Sequence, residues 1–171
     1  MKHLKTALFL LALAAFSSMS AQIRIPDTKV SFDFPNGGWK YLQTSKINES
    51  TNVYLYSFSS RYIVDAAGDT VIPFMRIYVR KNFSGTVYDL AYSRFMTQPF
   101  QSLDEFNYPN GSFGYLGAYS NEEDGKDYEF RMIYLKDGNT ALEIRLETTL
   151  DTYDQFEQEF LDILNTIKIN K

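Results

Sequence analysis

Two periods run along this chain. Period two, the mark of a strand with one face turned to a core, appears over residues 30–34, where Phe32 and Phe34 share a face. It appears again over residues 52–58 (NVYLYSF), where Val53 and Leu55 oppose Tyr54, Tyr56 and Phe58. Between them Pro35-Asn36-Gly37-Gly38 is turn chemistry, and residues 39–42 resume a short strand. Residues 65–69 (DAAGD) read as a hairpin loop that returns as a strand over residues 71–80. Pro73 has no N–H to give to a ladder, so it belongs at the start of that strand or on a sheet edge.

The period then lengthens. After Ser84 and Thr86, residues Val87, Leu90, Ala91, Phe95 and, at the margin, Met96 fall on one face of a helix that ends before Pro99. Alternation returns over residues 113–120, 126–135 and 140–148, with turns at 121–125 and 136–139. Each turn contains Asp-Gly, whose members tolerate positive φ and so favour a hairpin. The last element is helical again: Tyr153, Phe156, Phe160, Ile163, Leu164 and Ile167 recur at spacings of 3, 4, 3, 1 and 3. Asp151 is the candidate cap, and Glu157, Glu159 and Asp162 take the opposite, solvent face. That acidic face fits a helix packed on a core better than one lying on a membrane surface, where Lys and Arg are favoured.

Several strands carry bulky residues on both faces (Tyr54 beside Leu55, Phe130 and Tyr128 with Ile133), so both sides of the sheet need cover. The expected fold is α+β: a three-layer α/β/α sandwich with a central antiparallel sheet between the middle and C-terminal helices.

Composition changes the picture mainly at the N-terminus. Lys2, His3 and Lys5 precede a ten-residue apolar run at 7–16, followed by Ser17, Ser18, Met19, Ser20 and Ala21. This is the layout of a cleavable secretory signal peptide, and the run falls well short of the roughly 20 residues that span a bilayer. Cleavage is expected after Ala21, with Ser20 as the alternative, leaving one globular domain over residues 22–171 in the periplasm or secreted. Stable membrane insertion is not expected after that cleavage. Processing takes two of 17 basic residues and the only histidine but none of 21 acidic ones, so the balance becomes 15 − 21 = −6. A nucleic-acid partner would need a basic patch against that field, and none is legible. With no cysteine there is neither a disulfide framework nor a site for lipid attachment at the cleavage point.

Residues 31–39 (SFDFPNGGW) resemble the opening of the PsbP-like family. So do the extended stretch 73–79 followed by a helix, and the closing hairpin and helix that ends FLDILNTI at 160–167. That family includes the extrinsic photosystem II subunit, the Ran-binding Mog proteins and many exported bacterial proteins of unassigned role. The resemblance spans roughly residues 26–169, rests on pattern, and identifies the chain as an exported bacterial member. It implies an α/β/α sandwich used as a binding or assembly module rather than an enzyme. No functional residue carries over, because the family's metal and docking residues have no motif here to map onto.

Candidate chemistry is sparse. Without Cys or His after processing, the usual nucleophile–base pairs and zinc sets are missing, so no catalytic, cofactor-binding or metal-ligating residue is expected. A carboxylate-based hydrolase is the weakest alternative: Glu143 and Glu147 share a strand face with Arg145 between them. Alternating charges of that kind are ordinarily an exposed, solvated strand face. Aligning the acidic loop 122–127 with a calcium-binding EF-hand loop puts Arg131 where a bidentate Glu is required, so it reads as a solvated turn. The sequons at Asn48, Asn82 and Asn110 are read as chance, and Asp69-Thr70-Val71 matches a short O-glycosylation pattern.

The aromatic excess is more informative: 13 Tyr, one Trp and, after processing, 14 − 2 = 12 Phe. Most suit pleated strands and a two-sided core, with Tyr115 and Tyr119 on one face of their strand. Phe74, Arg76, Tyr78 and Arg80 also share one face and form the candidate binding face. The expected role is that of an exported, non-enzymatic domain that binds a protein partner or supports an envelope assembly. A glycan or small apolar ligand is the alternative partner. N-terminal sequencing of the exported chain should begin at Gln22; a chain still starting at Met1 would remove the export reading.

Overall fold

The computed structural model describes residues 22–48, 52–108 and 113–170. Residues 1–21, on which the expected export signal and His3 fall, and the sequon residue Asn110 lie outside the described residues. Among the described residues the elements are β1 (Ile23–Arg24), β2 (Val30–Phe32), β3 (Lys40–Asn48), β4 (Val53–Ser59), β5 (Ile63–Val64), β6 (Thr70–Val71), β7 (Phe74–Arg80), α1 (Val87–Phe95), β8 (Phe100–Asn107), β9 (Phe113–Glu123), β10 (Lys126–Asp137), β11 (Thr140–Thr149), α2 (Tyr153–Thr166) and β12 (Lys168–Ile169). Seven strands form one antiparallel sheet in the order β3-β4-β7-β11-β10-β9-β8. Strands β1, β2 and β12 make a small second sheet, and β5 and β6 a short hairpin over the DAAGD loop.

Turn chemistry explains the register. Glu123 pairs with Lys126, leaving Asp124 and Gly125 as the two loop residues, with φ of 54° and 76°. Positive φ at both is the type I′ condition that matches strand twist. In the next hairpin Asp137 pairs with Thr140, so the loop pair is Gly138-Asn139 and Asp137 ends its strand instead of entering the turn. Pro73 stands just before β7, which is central in the sheet. That is where a central strand tolerates a residue without an N–H.

Pleating sends alternate residues to two faces. The back carries Met75, Ile77 and Val79 from β7, Ile133 and Leu135 from β10, and Leu142, Ile144 and Leu146 from β11, all buried. Helix α2 lays Tyr153, Phe156, Phe160, Ile163 and Leu164 on them. Strand β2 adds Phe32, whose ring meets those of Phe34 and Phe58 at 5.2 and 5.8 Å. The front carries Tyr115, Tyr119, Phe130, Met132 and Tyr134 beneath Leu90 and Ala91 of α1.

The front layer is only half built. Helix α1 has nine residues, about 14 Å at ~1.5 Å per residue, and strands lie roughly 4.8 Å apart. It covers about three strands, β8, β9 and β10. Among the described residues no helix lies over the front of β4, β7 and β11, so the fold is richer in sheet than the three-layer sandwich expected from the sequence. Among the described residues no helix is long and apolar enough to cross a membrane.

Four other expectations change. Asp151 does not cap α2: it lies in a 3-10 turn (Leu150–Thr152), Thr152 takes the cap position, and the Asp151 carboxylate accepts from the Ala66 N–H at 3.0 Å. Glu159 is not on a solvent face. It is buried because the chain before β3 and Arg61 fold over the helix, with the Trp39 indole N–H donating to it at 2.6 Å and Arg61 Nη1 at 3.3 Å. Phe95 and Met96 turn outward as α1 ends, at 38% and 65% exposure. Finally, β3 runs far beyond residue 42, and β8 was not foreseen at all.

Helix α1 begins in a capping box, with the Thr86 hydroxyl accepting from Asp89 N–H at 3.1 Å and the Asp89 carboxylate from Thr86 N–H at 2.6 Å. Urea unfolding should therefore rank three substitutions. Phe156→Ala should lose about 3–5 kcal/mol, Thr86→Ala about 1 kcal/mol, and the half-exposed Tyr92→Ala no more than about 0.5 kcal/mol.

Candidate functional site

The open front of β7 and β11 holds a network of charges. Register sets Phe74 opposite Glu147, Arg76 opposite Arg145, Tyr78 opposite Glu143 and Arg80 opposite Ala141. The four residues of the expected binding face are thus brought together on one surface, each half-buried. Two like charges directly opposite would repel; Glu147 resolves this by serving both. Its Oε1 pairs with Arg76 Nη1, and its Oε2 lies 2.6 Å from Arg145 Nε, close but not aligned as a hydrogen bond. Glu143 accepts from Arg94 Nε of α1 at 2.9 Å and lies 3.8 Å from Arg80 Nη2. Arg145 Nη2 also reaches Glu123 at 3.3 Å.

This corrects the expectation of a solvated strand face. Glu143 and Glu147 are each only 5% exposed, while the side chains of Arg76, Arg80 and Arg94 are 31%, 31% and 32% exposed. The carboxylates lie underneath and the guanidiniums lie on top. Aromatic rings make this layering feasible, because arginine stems and planes lie along them: Arg76 sits 5.0 Å from the Phe74 ring centre and Arg145 4.1 Å from that of Phe130. Burial pushes the Glu147 carboxyl above its ordinary range, against the pull of Arg145 and Arg76. Burial is the largest single influence on the Arg145 guanidinium and works to lower it, but Glu147, Tyr119, Glu123 and Tyr78 together more than reverse this and its value rises.

Where α1 ends, the network borders a well of about 160 Å³ lined by Tyr78, Arg94, Gln98, Tyr119, Tyr134 and Glu143 among others. Tyr134 is fully buried, and its hydroxyl has no hydrogen-bond partner among the described residues. Burial raises this phenol far above its ordinary value, so it holds its proton. Arg94, Gln98 and Tyr134 were not singled out from the sequence. Their signal is tertiary: a polar pair at the end of an otherwise apolar-faced helix, over a strand whose tyrosine reads as core.

The remaining candidates are dispersed. Tyr115 and Tyr119 are buried under α1. The acidic loop is the β9–β10 turn, and Lys126 donates from it to Asp65 at 3.0 Å and Asp69 at 2.7 Å, which holds the Asp65 carboxyl below its ordinary value. Among the described residues no three acidic or imidazole side chains are grouped for a metal ion. Thr70 is exposed in β6, and Asn82 follows β7 at φ 60°. Asn48 ends β3, its side chain outside the described residues.

No family model matches the chain, and no curated protein matches it. Solved structures share its fold at low identity. A protein from Bacteroides thetaiotaomicron VPI-5482 aligns at TM-score 0.54 and 14% identity, over 88% of this chain and 48% of its own. The chain thus spans about half the length of that Bacteroides protein. LpqN of Mycobacterium tuberculosis, involved in cell envelope biogenesis, aligns at TM-score 0.54 and 11% identity, over 90% of this chain and 91% of its own. The cyanobacterial PsbP of Synechocystis sp. PCC 6803 aligns at TM-score 0.43 and 14% identity, over 90% of this chain and 94% of its own.

Removing one cation from the network should expose its cost. Arg145→Met leaves Glu147 with Arg76 alone and should destabilise the fold by about 3 kcal/mol. A buried carboxyl whose folded value is raised binds its proton more tightly folded than unfolded. Its penalty is thus absent below the unfolded value and grows as pH rises through the folded one. Urea unfolding of the variant and parent should therefore differ more at neutral pH than in mildly acidic buffer.

Proposed function

We propose that the chain is a non-catalytic domain of the PsbP-like type, exported to the cell envelope, which docks a partner protein through the open front of its sheet. The observation that carries this reading is the layering of charge over β7 and β11, with glutamates buried and arginines outward. A surface built that way offers cations and aromatic edges to a partner while keeping its own carboxylates out of reach. Arginine and aromatic residues are the side chains that interfaces favour, and charged groups steer encounter. The fitting partner presents an acidic patch, which Arg76, Arg80 and Arg94 would meet together with Phe74 and Tyr78.

Export is supported by the basic, apolar and small-residue succession over residues 2–21, and the envelope setting by the fold shared with LpqN. The non-catalytic reading is supported by the engagement of the two carboxylates that could form a catalytic pair. Glu143 and Glu147 each lie against two guanidiniums, which holds both as ion-pair partners rather than as a free acid and base.

The test is a charge reversal. Immobilised exported chain should retain a protein from envelope extract that Arg76→Glu with Arg80→Glu fails to retain, with retention falling as salt rises. Equal retention by the parent and the double variant, or a retained protein whose binding ignores salt, would overturn the docking surface.

A further inference from the structure

We propose that the well at the end of α1 is a carboxylate-binding site in which Tyr134, Arg94 and Arg145 hold one monoanionic group. The first observation is unmet hydrogen bonding. The Tyr134 hydroxyl lines the well and is buried with no hydrogen-bond partner among the described residues, whereas Arg145 Nε and Glu147 Oε2, 2.6 Å apart, offset each other as an ion pair. A buried hydroxyl of this kind is normally satisfied, and this one calls for an acceptor.

The second observation is charge. Arg76, Arg80, Arg94 and Arg145 face Glu123, Glu143 and Glu147, four cations against three anions. One negative charge completes the set, on a chain whose total balance is −4. The third is shape. The well is about 160 Å³ and partly open, with Arg94 reaching solvent at 32% exposure, so a small group can enter past Gln98. Apart from burial, Glu143 acts most strongly on the Tyr134 phenol, and Arg94 and Arg80 oppose it. An apolar ligand would leave the hydroxyl unmet. A phosphate dianion would overshoot the single surplus charge and crowd Glu143. A carboxylate meets both conditions, with planar oxygens suited to the guanidinium fork and a lone pair for the phenol.

The carboxylate has two conceivable sources: a free short-chain acid, or an acidic side chain carried on a partner. The inference stands apart from the docking surface, because its test needs no partner protein. The exported chain is titrated, at constant ionic strength, with acetate, with a blocked aspartyl peptide and with inorganic phosphate, followed by calorimetry and by the NMR signals of Tyr134. Saturable binding of acetate is expected, weaker by about tenfold in Tyr134→Phe and in Arg94→Gln, the usual scale for a hydrogen bond to a charged group. Tyr134→Phe removes a hydroxyl with no partner and should keep the parent's thermal midpoint in the absence of acetate, so a lost affinity cannot be ascribed to a lost fold. Acetate binding more tightly than the peptide supports a free acid; the reverse supports a partner's side chain. Absence of saturation by either, tighter binding of phosphate than of acetate, or unchanged acetate affinity in Tyr134→Phe would each overturn the site.

Discussion

A seven-stranded sheet has two faces to cover, and the described residues supply unequal cover for them. On the back, α2 and the small β1-β2-β12 sheet bury a continuous apolar surface. On the front, α1 is long enough for only three strands. An apolar surface left open over β4, β7 and β11 would be a liability for aggregation, and a plainly polar one would forgo packing. The chain takes a third course. Arginine stems and aromatic rings cover the strands, and two glutamates beneath, with Glu123 beside them, neutralise most of the charge. Everything distinctive about the front, including its buried carboxylates and its well, follows from that shortage of helix.

The solution is costly. A buried carboxylate loses hydration, and its attraction to a cation offsets that loss only with good geometry. Glu147 shows the tension directly, since burial raises its carboxyl despite two neighbouring arginines. Replacing such a network with apolar residues of similar volume often leaves a protein equally stable or more so. Stability alone therefore gives little reason for four arginines and two buried glutamates on one patch. Recognition gives a better one, because such a surface discriminates by charge and arrangement while remaining soluble.

How far the sequence revealed this depends on whether the deciding contact was local. The hairpins, the Pro73 boundary and both helices were legible, because turn chemistry and period are local signals. Strand β3 was cut short because it is an edge strand whose residues 40–44, 46 and 47 are all exposed; with no buried face, it has no alternation to read. Its lysines at 40 and 46 and its two register shifts are the devices that keep an edge from pairing with other chains. Strand β8 was hidden for the opposite reason. Its apolar residues Phe100, Leu103 and Phe106 are spaced by three, as in a helix, and an irregularity between Phe100 and Ser102 turns both Phe100 and Leu103 to the front. Glu159 was misplaced because its cover comes from Trp39, 120 residues away.

The candidate face shows the same boundary between local and distant information. That Phe74, Arg76, Tyr78 and Arg80 share a face is a statement about pleating, and it holds. That Glu143 and Glu147 are buried is a statement about register between β7 and β11, and a single strand cannot supply it. Once Arg76 stands opposite Arg145, a carboxylate must lie between them, and Glu147 is the nearest on that face. The same register brings Tyr78 to Glu143, and Arg94 reaches that glutamate only because α1 ends above it. The well is then what remains where a short helix stops over a charged sheet. Its fully buried phenol sits among cations that outnumber their carboxylates by one, which is a condition for taking up an anion rather than for filling a core.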